Sequence, residues 1–193
     1  MKNHDCATYE GEGDDIAKAS ENARGVVEVY IADGSASICP ETGEKHVGAA
    51  VVRLEEGEYE IIVQKRLPEY YSAQAAELGV LTEALLAAKW CAIIIYSDSA
   101  YAITNVHAGL SRWRRRGFRR ADGSPVQHAE LLNDLIKALA EPIVVALVKC
   151  QAHTHNCDKI SLGKAAAYAA AKKAAYFSKP LPAECVQRTS TLT

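Results

Sequence analysis

The sequence predicts a mixed α/β domain: a five-stranded sheet, three antiparallel strands followed by two parallel ones, with helices on both faces. Three observations carry this. Apolar, β-branched runs of strand length recur at 26–33, 47–54, 59–67, 92–97 and 143–148. After the third run the apolar period changes to three and four residues. The last two runs are short and uninterrupted, as expected of strands buried on both faces.

Residues 1–24 are polar and acidic without a sustained period and are expected to be a flexible tail, with the domain over 25–176 and a second tail over 177–193. The first strand, VVEVYIAD, stops at Asp33-Gly34-Ser35, which delivers a carboxylate to the rim of the sheet; SASICPETGEKH is then expected to be a loop. Glu55-Glu56-Gly57-Glu58 separates the second and third runs as a hairpin turn. Ser72 is a candidate N-cap for a helix with Ala76, Leu78, Leu81, Leu85 and Ala88 along its apolar side. AIIIYS at 92–97 ends at Asp98, and 99–106 is expected to be helical. Residues 107–124 form a basic excursion closed by Asp122-Gly123. A helix from Pro125 or Val126 to Leu139, a strand at 143–148, a polar loop at 151–159 and an alanine-rich helix at 160–175 complete the domain.

Composition bounds the function. With 49% hydrophobic and 24% charged residues the chain is an ordinary globular protein. It has no apolar run of the roughly 20 residues needed to span a bilayer and no secretory signal, so a cytoplasmic or nuclear location and no membrane partner are expected. Six scattered cysteines lack a CxxC pair and are expected to be free thiols. The net charge is −2, yet residues 112–120 hold six arginines, so the rest of the chain carries −8. One concentrated basic stretch on an acidic background points to a local polyanion contact.

Asp33 alone reads as an ordinary turn. Together with Glu77 on the first helix and Asp98 after the fourth strand it becomes one of three carboxylates brought to one sheet edge, where ligands of open α/β sheets bind. Such a cluster repels itself unless cations neutralise it, and oxygen ligands select hard ions such as Mg²⁺ or Mn²⁺.

These residues sit in IADGSA (31–36), SAQAAEL (72–78), YSDSAYA (96–102), RRRG (114–117) and CQAH (150–153), and in that order they resemble the ribonuclease H domain of gammaretroviral, murine leukaemia-type reverse transcriptases. The resemblance covers about residues 26–175 and implies a ribonuclease H-like fold with a basic protrusion. It further implies cleavage of the RNA strand of an RNA–DNA hybrid by two Mg²⁺ or Mn²⁺ ions on four carboxylates. Asp33, Glu77 and Asp98 match the first three, and His153 matches a loop histidine that assists near the active site. His153, His155, Cys157 and Asp158 do not form a regular zinc pattern.

The fourth carboxylate belongs on the last helix in a pattern resembling G-N-R-M-A-D-Q-A-A. Here it falls on Tyr168, and no Asp or Glu occurs between Asp158 and Glu184. A neutral phenol is a poor Mg²⁺ ligand. The expectation is therefore a degenerate copy: weak, single or absent metal binding at Asp33, Glu77 and Asp98, and nuclease activity lost or severely impaired. Gln74, Ser99 and Tyr101 match hybrid contacts, whereas Ala100 stands where the family carries Arg. Arg112, Arg114, Arg115, Arg116, Arg119 and Arg120 match the protrusion that grips nucleic acid, with Trp113 and Phe118 either stacking on bases or packing. A host-captured retroviral domain, monomeric in isolation, that binds RNA–DNA hybrid or other nucleic acid is the resulting reading. Its alternatives are an active hybrid-cutting enzyme and a protein-interaction scaffold.

Overall fold

The structure is a computed structural model that describes residues 7–9, 27–150 and 158–176. Its sheet contains the five expected strands, here β2 (Val27–Ile38), β3 (Lys45–Glu55), β4 (Glu58–Arg66), β5 (Ala92–Ser97) and β6 (Val144–Lys149). A short additional strand, β1 (Ala7–Tyr9), pairs in parallel with the edge of β6, so the spatial order is β1-β6-β5-β2-β3-β4. Three residues of the segment expected to be a tail thus cover a sheet edge that would otherwise expose unpaired backbone groups. β2, β3 and β4 are antiparallel, and β5 and β6 run parallel to β2. Glu56 and Gly57, both at positive φ (50° and 92°), make the two-residue turn between β3 and β4.

β2 is longer than the sequence suggests. Its parallel pairing with β5 ends at Ile31–Tyr96, but its antiparallel pairing with β3 continues to Ile38–Lys45. Asp33 is therefore inside a strand, opposite Ala50, and Ser35–Ile38 is ladder rather than loop. The polar residues there disguise a strand that β3 alone holds in place.

The helices divide between two faces. Ser72 caps α1 (Ala73–Ala87), its Oγ accepting from Ala75 N at 3.1 Å. α1 buries Leu78, Leu81 and Leu85 against Tyr30, Ala32, Val51, Ile93 and Ile95, and α4 (Ala129–Ala138) adds Leu132 and Leu135. Each such side chain contributes about 1.5–3 kcal/mol of burial. On the other face α5 (Lys159–Ala175) sets Ala167 against Ile31 and Val52, and Ala170 and Ala171 against Ala50. Side chains alternate along a strand, so Ile31 and Asp33 share the α5 face while Tyr30 and Ala32 share the α1 face.

Two expected helices are revised. The stretch after Asp98 forms α2 (Ala100–Thr104), a π-helical turn (Asn105–Gly109) and α3 (Leu110–Arg115), a continuous helical path into the basic segment. α4 starts at Ala129 rather than Pro125 or Val126. Val126 N donates to Phe118 O at 2.8 Å, Arg119 and Pro125 form a bridge, and His128 takes a left-handed φ of 58°, so no helix can begin before it.

Candidate active site

Asp33 is held on β2, Glu77 in the second turn of α1 and Asp98 directly after β5, and one oxygen of each lies within 4.8 Å of the others. The three carboxylates predicted from sequence thus converge. Asp33 is 5% exposed. Burial raises its pKa against the pull of Lys164. Glu77 has its Oε2 buried without a hydrogen-bond partner. Its pKa is pushed up to about 8, chiefly by burial, with Asp33 and Asp98 adding to the rise and Lys164 opposing it. A carboxyl with these neighbours holds its proton at neutral pH.

The sequence reading missed the residue that organises the cluster. Lys164 projects from α5, only 7% exposed, and its Nζ donates to Asp98 Oδ1 at 2.7 Å, to Asp33 Oδ1 at 3.0 Å and to Ala32 O at 3.2 Å. An ammonium has three donor hydrogens, and here three acceptors meet it. Burial alone lowers a lysine pKa, but Asp33 and Asp98 outweigh it and hold Lys164 above its ordinary value. Although Asp33 and Lys164 shift in the same direction, the contact is an ion pair: the ammonium is shared with Asp98 and is firmly charged. The signal available in the sequence was a lone basic residue among Gly163 and alanines, on a helix face otherwise too small to hold one.

Mg²⁺ or Mn²⁺, implied by the four-carboxylate pattern, does not fit this donor set. An ion bridging Asp33 and Asp98 would sit beside the ammonium that already engages Oδ1 of each. At 4 Å a divalent and a monovalent cation repel by on the order of 8 kcal/mol at an effective dielectric of about 20. Among the described residues no fourth acid joins the three. Tyr168, at the expected position, is 40% exposed. Asp158 caps α5, its Oδ1 accepting from Ile160 N at 3.0 Å and Ser161 N at 2.9 Å and its Oδ2 from Ser161 Oγ at 2.6 Å. His153, His155 and Cys157 lie outside the described residues.

Of the expected nucleic-acid contacts, Gln74 and Ser99 neighbour cluster residues along the chain. Gln74 is exposed one turn before Glu77 on α1, and Ser99 caps α2 by accepting from Ala102 N at 3.1 Å. Tyr101 packs edge-on against His128, whose Nε2 lies 3.3 Å from Ser72 Oγ, so the starts of α1 and α2 are linked through one imidazole. Arg112, Arg114, Arg115, Arg116, Arg119 and Arg120 are exposed on α3 and the turn after it. Arg112 lies over the Trp113 ring at 4.9 Å, and Arg119 donates to Gly123 O at 2.8 Å. Trp113 and Phe118 are half-buried and pack against the main core.

Comparison with known proteins agrees with this architecture. The family model described as RNase H matches residues 24–176. The Gag-Pol polyprotein of Koala retrovirus is 34% identical over 155 residues, covering 80% of this chain and 9% of that polyprotein. The Gag-Pol polyprotein of Baboon endogenous virus (strain M7) is 36% identical over 146 residues, covering 76% of this chain and 8% of the polyprotein. The chain therefore spans less than a tenth of these relatives. Among solved structures, the PFV RNase H domain superposes with a TM-score of 0.63 at 22% identity, over 77% of this chain and 94% of that one. The foamy viral protease-reverse transcriptase, solved in complex with RNA/DNA hybrid, gives 0.63 at 23% identity, over 77% of this chain and 20% of that one. With the strand order, the converging carboxylates and a match across the whole folded region in agreement, the chain belongs to the RNase H family.

Proposed function

We propose that this is a retrovirus-derived RNase H domain that binds nucleic acid and no longer cuts it. The observation that carries the reading is the state of the acidic cluster: the helix that should supply a fourth carboxylate supplies an ammonium instead. Hydrolysis of a phosphodiester by this family's chemistry needs cations to stabilise both the attacking and the leaving oxygen. A lysine side chain bonded to two of the carboxylates removes ligands from that task and adds a competing charge. Each 1.4 kcal/mol lost from transition-state stabilisation is about tenfold in rate, so a defect of several kcal/mol abolishes measurable turnover. Labelled RNA–DNA hybrid incubated with the domain and Mg²⁺ or Mn²⁺ is expected to stay intact; multiple-turnover cleavage overturns the reading.

Binding rests on separate groups. The exposed arginines present planar donor forks suited to phosphate oxygens, and they follow the helix that starts beside Asp98. The solved foamy viral relative in complex with RNA/DNA hybrid supports the same class of partner. Such binding is insensitive to sequence and weakens with salt. In a filter-binding or anisotropy titration, changing Arg114, Arg115 and Arg116 together to Ala should weaken hybrid binding across sequences. It should also lower the slope of log affinity against log salt by about one for each phosphate contact removed. An unchanged slope would mean that the arginines serve another purpose.

A further inference from the structure

We infer that Lys164 is a tethered cation that has taken over the structural place of a metal ion, so the domain folds around its acidic cluster with no divalent ion bound. This rests on the loss-of-cleavage reading and deepens it: the side chain that neutralises the cluster is also what excludes metal from it.

The geometry is that of a built site. Nζ meets two carboxylate oxygens and one backbone carbonyl, at 2.7, 3.0 and 3.2 Å, which uses every ammonium hydrogen. The acceptors come from β2 and from the residue after β5, so the contact ties α5 to the two central strands. Its stem is enclosed by close helix–sheet packing. A Cβ at neighbouring Gly163 would overlap Ile31 Cδ1 and come within 3.1 Å of the Tyr59 ring, so the helix lies near enough for the lysine to reach across. Tyr59 Oη donates to Lys159 O at 2.9 Å and Gln64 Nε2 to Ala170 O at 3.0 Å, fixing the helix from a third strand, β4. An exposed lysine swings freely, whereas this one is held in a single place. Removing one partner of such a buried pair is destabilising because the remaining charges are left uncompensated.

The experiment uses the full chain, with Mn²⁺ alone as probe. In the unaltered protein, Mn²⁺ should leave the thermal midpoint unchanged and should not broaden the backbone amide signals of residues 33, 77 and 98 in NMR spectra. Lys164→Met should melt lower than the unaltered protein in chelator, regain stability as Mn²⁺ is added, and bind Mn²⁺ at least about tenfold more tightly, since a repelling charge has gone. Lys164→Gln, which keeps a hydrogen-bond donor, provides the same comparison if Lys164→Met does not fold. Selective broadening at the three carboxylate positions in the unaltered protein overturns the inference, as does a Lys164 variant that is equally stable in chelator or gains no Mn²⁺ affinity. Cleavage of hybrid is scored separately. Mn²⁺ bound without cleavage removes the tethered cation but leaves the loss-of-cleavage reading standing.

Discussion

Gly48→Val is expected to destabilise the domain by more than about 3 kcal/mol, and to do so without touching a site residue. Gly48 lies on β3 where α5 crosses the sheet. A Cβ there would overlap the carbonyl oxygen of Ala171, lie 2.5 Å from Ala175 N and 3.0 Å from Ala175 Cα. These are backbone atoms, so no rotamer change relieves the contact; the helix must move or the strand must bend. The alanine face of α5 exists for this approach, with Ala167, Ala170, Ala171, Ala174 and Ala175 all buried. Lifting α5 also withdraws Lys164 from Asp33 and Asp98, adding an electrostatic loss to the packing loss. Urea unfolding followed by circular dichroism checks the outcome. A midpoint close to that of the unaltered protein would mean that α5 can shift on the sheet, and the fixed placement of Lys164 would fail with it.

The close approach of α5 also explains what the sequence made legible. Strand runs, the Ser72 cap and the Glu56-Gly57 turn are local signals, and each was found where its pattern stood. Asp33, Glu77 and Asp98 were legible as a set, because three acids recur beside apolar runs that the fold brings to one sheet edge, although none of them is conspicuous alone. The continuation of β2 past Asp33 was not, since its polar residues are held by pairing with β3 alone, a tertiary effect. Ala7–Tyr9 was missed for a related reason: three residues are too few to show a period. The helix expected from Pro125 or Val126 was delayed by the Phe118–Val126 bond and the left-handed His128, neither of which composition records. Lys164 is not legible because the family pattern assigns the fourth ligand to position 168, where Tyr168 stands. Yet four residues earlier is the same side of a helix, and there the long side chain reaches what the tyrosine does not.

Glu77→Gln should make the domain more stable, with a gain that grows with pH. In the folded protein Glu77 titrates at about 8, against 4.5 for an unperturbed glutamate, with burial as the main cause. The charged or titratable groups that act on it are Lys164 from α5, Asp33 from β2 and Asp98 beyond β5. Because the folded pKa is the higher one, the protonated form is favoured by folding. That stability is fully present below pH 4.5, declines as the unfolded chain ionises above it, and is gone once the pH passes about 8. At 1.36 kcal/mol per pH unit the loss is on the order of 5 kcal/mol over that window. A glutamine has the same shape and does not ionise, so it escapes the loss. Unfolding midpoints of the two proteins should coincide below pH 4.5, separate through neutrality and run parallel above about pH 8. Curves that stay parallel throughout would place Glu77 in contact with solvent or a cation. A buried carboxyl that costs the fold stability as the pH rises, set beside two other acids, belongs to a functional site rather than to packing.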